Sequence, residues 1–390
     1  MIKILDLGMH PYADTFISPA QLGLTEPILP LECYLCPESG QVQLGYVSRD
    51  TERYNLYAYS YTSANSKTSR AHWDDYYQTM VKRFNPTDQM VVEIGSNDGY
   101  LIRQFQADNR IVGVDPSIAM AKIAKEQSGV TTITELFSLA TAQRIRSDLG
   151  AAHLMIANNV FNHSNNPLDF ARGVATLLQE DGVFVFESPY WLDTIQSQRF
   201  DQIYHEHVSY FTVKSAFHLL AQAGLEIFDV ERVDYHGGSL RVYAKKLPPD
   251  TRPQAVSLVS EMIEAETQLG LFEVATYRQF QKDITTTRDK FLAQLYAIHA
   301  QGHPIVAVGA AAKGNTFLNF YGLDHTVIDY VTDSSEHKQG KLTPLTRIPI
   351  VGDEIFQQYP DEVYAVILSW NISDAIKNNL RKINSKIQFL

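Results

Sequence analysis

Nine residues, Val91-Val92-Glu93-Ile94-Gly95-Ser96-Asn97-Asp98-Gly99, leave the chain around them few ways to fold. The apolar run stops at Ile94 and gives way to a glycine-punctuated turn, with a helix expected from about Tyr100, which is the opening of a βαβ unit. In such units the ligand sits past the carboxyl end of the strand. Gly95 and Gly99 carry no Cβ, so the backbone can approach a bound molecule and adopt dihedrals closed to other residues. A second apolar run, Ile111-Val112-Gly113-Val114, ends in Asp115-Pro116. A carboxylate at that strand tip can accept hydrogen bonds from both hydroxyls of a ribose.

A dinucleotide loop has the spacing Gly-x-Gly-x-x-Gly. Here the loop is acidic instead, with Glu93 before it and Asp98 inside it. Carboxylates repel a pyrophosphate and suit a ligand bearing an ammonium and a sulfonium. The loop thus resembles the first motif of the class I S-adenosylmethionine-dependent methyltransferases.

At 390 residues the chain is too long for one hydrophobic core, and two or three domains are expected. The net charge is −11, with 33 basic against 44 acidic side chains, and the basic ones are scattered. Nucleic acid and anionic membranes are therefore not expected partners. No apolar run is long enough for a membrane span, and a cytoplasmic enzyme is expected.

Residues 1–75 hold short extended runs and turns, and read as a small irregular domain with strands. Within it Cys33-x-x-Cys36 is half of a zinc-ribbon pattern, which His10 and His72 could complete; two ordinary thiols in a turn is the other reading. Residues 57–66 are dense in tyrosine and hydroxyl side chains. From 76 to 246, strand and helix alternate: a helix over Asp75–Phe84, strands at 91–94, 111–114, 153–157 and 182–186, and helices near 117–128 and 167–178. That alternation specifies an α/β doubly wound sheet. Residues 247–300, nearly free of glycine, read as bridging helices. Residues 301–390 start a second Rossmann-like α/β domain with the strand Pro304–Val308, the small-residue turn Gly309–Thr316, and a further apolar run at 327–331. The turn's Lys313, Gly314 and Asn315, with Lys338 in a neighbouring loop, suit a phosphate.

The densest chemistry lies in Tyr204-His205-Glu206-His207 and on to Tyr210. Such groups are costly to bury unless they bond one another or a ligand. The histidines are two residues apart rather than four, unlike the helical zinc protease motif.

Together, Ile203–Phe211, His236–Arg241, Gly309–Thr316 and Glu93–Gly99 resemble the sugar C-methyltransferases that act on nucleotide-linked 4-keto-deoxy sugars, and the resemblance covers nearly the whole chain. It implies a small zinc-binding domain, a class I methyltransferase domain and a C-terminal α/β domain, with a dTDP- or GDP-linked sugar held between the lobes. The family's zinc domain has two Cys-x-x-Cys pairs. With one pair here, no tightly bound zinc is expected. On the cofactor side the resemblance places Glu93, Gly95, Asn97, Asp98, Gly99 and Asp115, with Asn158 and Asn159 near the adenine or methionine moiety. On the substrate side it places Tyr190, His236, Arg241, Lys313, Gly314, Asn315 and Lys338.

The implied reaction removes the C3 hydrogen beside the C4 ketone and methylates the resulting carbanion. His207 qualifies as the base by its ordinary pKa, and Tyr204 qualifies if neighbouring charge lowers its own. A histidine base implies a rate rising through a pKa near neutrality. Glu206 would orient or charge-balance the histidine, His163 would stabilise the enolate oxygen, and Tyr61 would reach in from the N-terminal domain. A sugar O-methyltransferase, an NAD-dependent oxidoreductase and a non-catalytic sugar-nucleotide binder are the rival readings.

Overall fold

The computed structural model describes residues 1–49, 62–64, 66–248 and 251–390. Tyr61 and the tyrosines before it lie outside the described residues. At the centre is a seven-stranded sheet in the order Leu225–Val233, Ser239–Lys246, Leu178–Pro189, Ala152–Asn158, Met90–Ile94, Arg110–Val114, Thr132–Ile133. Its last five strands run parallel, and Ser239–Lys246 is antiparallel to both neighbours. The strand that opens the motif, Met90–Ile94, is flanked by the later Ala152–Asn158 on one side and by Arg110–Val114 on the other. The chain reverses its winding there, and the cleft of a doubly wound sheet opens at the carboxyl ends of these strands.

Both faces of this sheet are covered, which is why its strands read as continuous apolar runs. Val92, Ile94, Met155, Ala157, Phe184 and Phe186 pack with Phe161, Phe170 and Phe211. The alternate positions Val91, Leu154, Ile156 and Val185 pack with Trp73, Tyr76 and Met80. These last three belong to the helix Lys67–Phe84, which starts two turns before the expected Asp75. Ser66 accepts a hydrogen bond from the Ser69 amide at its start, and the extra turns are polar, so apolar periodicity gave no sign of them. The helix expected from Tyr100 is a single tight turn, Ile102–Phe105, whose first amide donates to Glu93.

A four-stranded antiparallel sheet holds Ile2–His10, Leu29–Cys36, Gln41–Leu44 and, from far along the chain, Ser209–Tyr210. That last strand directly follows Tyr204–His207, so the N-terminal sheet is stitched to the densest constellation. A third sheet is all parallel: Ile350–Val351, Tyr330–Thr332, Ile305–Val308, Val363–Ile367, Ile387–Phe389. The helices Ser257–Gln268 and Val274–Ala300 lie in sequence between the last strand of the central sheet and the first of the third. Among the described residues no helix is long and apolar enough to cross a membrane.

Candidate active site

The acidic loop is built by backbone geometry. Gly95 and Gly99 have φ of 72° and 74°, and Asn97 has 48°. A Cβ at Gly95 would lie 2.9 Å from Val160, and one at Gly99 would lie 3.1 Å from Val130. The glycines are thus demanded by packing within the protein as well as by the turn. Asp115 accepts from the amides of Asn97 (3.0 Å) and Ser117 (2.9 Å), which fixes the strand tip against the loop. Asp98 accepts from the amides of Ala64 and Tyr100, and Asn97 Oδ1 from Ser63, so residues 63–64 lie over the loop. Burial raises the pKa of Glu93, and Asp98 adds to it; Asp115 is raised in the same way, against its two amides. Three crowded, buried acids call for a cation. This set fits a ligand with an ammonium, a sulfonium and a ribose.

At the next strand ends, Asn158 Oδ1 accepts from the Glu187 amide and the Asn159 amide donates to the Glu187 carbonyl, with Asn159 at φ 52°. Both asparagines therefore shape the rim of the cleft.

Tyr204 and His207 are the ends of a tight turn closed by the His207 amide on the Tyr204 carbonyl, and this brings their ring centres to 3.9 Å with the planes tilted by 33°. The Tyr204 hydroxyl lies 2.6 Å from His207 Nε2, and His207 Nδ1 lies 2.9 Å from the Gln202 carbonyl. A carbonyl only accepts, so Nδ1 carries the hydrogen, Nε2 is the acceptor, and Tyr204 donates to it. Burial pushes the His207 pKa down to about 4, against the Gln202 carbonyl, which favours the charged ring. This corrects the expected titration near neutrality: His207 is neutral at pH 7 because it is dry. The role expected of Glu206 changes too. Both nitrogens of His207 are engaged elsewhere, and Glu206 accepts from the Asp14 amide, holding the N-terminal segment to this turn. His163, in the turn after Ala152–Asn158, meets the His207 ring edge-on at 5.0 Å.

Several residues expected to face the sugar nucleotide are spent on the protein itself. Tyr190 is 1% exposed, and its hydroxyl donates to the buried Glu266. Arg241 is 4% exposed, paired with Glu187 and Glu231, and lies over the Tyr76 ring. Asn315 donates to the Ala13 carbonyl at 2.6 Å, tying the first helix of the C-terminal sheet to the N-terminal segment. At Gly314 a Cβ would lie 2.9 Å from Leu368, so that glycine serves helix packing. In this structure three of these polar side chains are satisfied within the protein, and Gly314 is packed against Leu368.

His236, Lys313 and Lys338 are the other residues expected on the substrate side. His236 sits at φ 54° and is followed by Gly237 and Gly238 at 86° and 111°. Burial lowers its pKa to about 3, with Lys313, His72 and His207 adding in that order. Lys338 donates to the Ala310 carbonyl and lies 3.9 Å from Asp333. His72, read from the sequence only as a possible metal ligand, instead bonds Glu187 at 2.9 Å and stacks flat on Tyr235 at 3.7 Å. The two partners are 115 residues apart, and no local pattern announces them.

The cysteines do not fit a zinc ion. Cys33 and Cys36 lie three apart in one strand, so their side chains leave opposite faces. Cys33 is fully buried in the apolar core, which pushes its thiol up, and Cys36 is held below the ordinary thiol range by Ser39. His10 bonds the Leu7 carbonyl, and no group of three or more His, Cys, Asp or Glu converges among the described residues. A tetrahedral site needs four such donors.

A parallel sheet of this order, with an acidic loop at its winding switch and a carboxylate on the next strand tip, defines a class I methyltransferase. Family comparison agrees. A methyltransferase domain matches residues 66–230, a C-methyltransferase C-terminal domain matches 234–389, and a family described as a zinc binding domain matches 1–54. C-methyltransferase NovU of Streptomyces niveus is 31% identical over 380 residues, covering 97% of this chain and 89% of that one. The chain belongs to the C-methyltransferase family, and it is an S-adenosylmethionine-dependent enzyme. Solved structures resemble it more distantly. Magnesium protoporphyrin IX methyltransferase of Synechocystis PCC 6803 with bound SAH is 17% identical over 45% of this chain and 83% of that one, at a TM-score of 0.37. A methyltransferase of Clostridium acetobutylicum ATCC 824 is 14% identical over 47% and 94%, at 0.36.

Proposed function

We propose that the enzyme methylates C3 of a nucleotide-linked 4-keto-6-deoxy sugar, with Tyr204 and His207 acting together as the base. The observation that carries this reading is the hydrogen bond from the Tyr204 hydroxyl to a dry, neutral His207 whose other nitrogen is committed to Gln202. Carbon methylation needs a base for a weakly acidic C–H, and a phenol becomes one when a neighbour accepts its proton as it works. The C3 proton passes to the Tyr204 oxygen while the Tyr204 proton passes to His207 Nε2. Negative charge then collects on the C4 oxygen, beside the positive charge formed on His207, and each stabilises the other in a site of low dielectric. His163 is the candidate donor to that oxygen. S-adenosylmethionine, when bound, supplies an electrophilic methyl on a sulfonium. For it we assign Asp115 to the ribose, Glu93 and Asp98 to the positive charge, and the backbone at Gly95, Asn97 and Gly99 to close approach, with Asn158 and Asn159 on the rim. His236, Lys313 and Lys338 are assigned to the sugar nucleotide.

NovU itself is a C-methyltransferase, which supports C- over O-methylation. The test is product analysis by mass spectrometry and NMR after incubation with S-adenosylmethionine and a panel of dTDP- and GDP-linked 4-keto-6-deoxy sugars. A methyl on C3, with solvent deuterium entering C3 when the methyl donor is withheld, is the expected result. A methyl on oxygen, or no turnover across the panel, overturns it.

A further inference from the structure

Where the central sheet's loops meet the C-terminal sheet, one indole gathers charge from both sides. Trp370, just past the strand Val363–Ile367, donates its Nε1 hydrogen to Asp201. The Arg199 guanidinium lies 3.7 Å from the centre of its ring and the Lys313 ammonium 4.5 Å from it, and Lys313 also donates to Asn371. Gly237 seats against the same ring, where a Cβ would run into it. Cations over an aromatic face are held in a defined place.

The charges do not balance. Arg199 and Lys313 share one carboxylate, Asp201, which is 5% exposed. Arg199 Nε is buried and meets no hydrogen-bond acceptor among the described residues. A guanidinium with an idle buried donor, beside a second cation, is arranged to take a bidentate oxyanion. The location suits that role, since Lys313 is within electrostatic reach of His236, which is itself within reach of His207.

We propose that Arg199 and Lys313, braced on Trp370 and countered by Asp201, form the seat for the diphosphate of the substrate. This rests on the reading of the substrate as a sugar nucleotide. It moves phosphate recognition from Gly314 and Asn315 to side chains on two different lobes, so only the assembled cleft recognises the diphosphate. Burial, with Arg199 adding, lowers the Lys313 pKa to about 8 against the pull of Asp201. An arriving anion reverses that, and Lys313 takes up a proton.

The test is calorimetry of the whole chain at pH 8 in buffers of different ionisation enthalpy, with inorganic pyrophosphate as probe and dTDP and GDP as further arms. Wild-type protein should bind pyrophosphate with proton uptake at Lys313. Lys313→Met should abolish the uptake, and Arg199→Gln should weaken binding roughly tenfold or more. Arg199→Lys keeps the charge and loses the fork, and should bind with intermediate affinity even if the glutamine variant does not fold. Binding of S-adenosylmethionine reports that each variant is intact. Wild-type protein that ignores pyrophosphate, or variants that bind it as wild type does, overturn the seat. Nucleoside diphosphates bound equally by wild type and variants leave the sugar-nucleotide reading standing and the seat refuted. Pyrophosphate bound as expected, with dTDP and GDP no tighter, supports the seat and overturns that reading.

Discussion

Two strand-turn-helix segments, 93–102 and 309–316, look alike in the sequence and have been put to different uses. In the first, the polar groups converge: Asp98, Asp115 and Asn97 hold backbone amides and leave a buried acidic floor at the strand switch. In the second, Gly314 lies against Leu368, Asn315 is on the Ala13 carbonyl, and Lys313 turns to Asn371 and the Trp370 ring. The two turns differ in the charge they gather, buried carboxylates that hold amides in the first and a single lysine in the second. Four substitutions break or sharpen this contrast.

The largest effect is expected outside both loops, at the base they serve. Tyr204→Phe and His207→Asn should each lower the methylation rate about 10²–10⁴-fold, the usual contribution of a positioned base, while binding of S-adenosylmethionine persists. Because the two act as one, the double variant should be little worse than either single, and C3 deuterium exchange should fall in step. The acid limb of the rate follows from the depressed His207 pKa: protonating Nε2 removes the acceptor for the Tyr204 proton, so activity should be lost as pH falls through about 4. A limb near 6.5 in the wild-type protein would mean that His207 is wetter than described.

In the acidic loop, Asp115→Asn removes the charge and one acceptor with little change of shape. It should weaken S-adenosylmethionine by about 1.5–3 kcal/mol, the scale of a hydrogen bond to a charged group, as read by calorimetry. Equal affinity in the two proteins would take the ribose away from this strand tip.

In the basic turn, Asn315→Ala should cost about 1–2 kcal/mol of stability through the orphaned Ala13 carbonyl, read from thermal melts, and leave the Michaelis constant for the sugar nucleotide nearly unchanged. A large rise in that constant with no loss of stability would restore Asn315 to the phosphate site.

Much of the scaffold was legible in order along the chain. The runs at 91–94, 111–114, 153–157 and 182–186 are strands because both sheet faces are covered and demand continuous apolar side chains. The sequence put Tyr204 and His207 in one dense cluster as alternative bases, and their hydrogen bond came into view only with the turn that closes on the Tyr204 carbonyl. The tautomer of His207 was not legible either, because it depends on the Gln202 carbonyl and on the dryness of the site.

By itself, then, the sequence determined what short-range pattern can encode: where strands run, which turns need glycine, and that an acidic loop and a cluster of phenol, imidazole and carboxylate groups are present. The tertiary structure decided which polar groups are free. Tyr190, Arg241 and Asn315 find partners in Glu266, Glu187 and Ala13, 76, 54 and 302 residues away, whereas Arg199 and Lys313 come together over Trp370 with an excess of positive charge. The physical reason is that a hydrogen bond or ion pair depends on distance and burial, and contacts this remote in sequence arise only when the sheets pack.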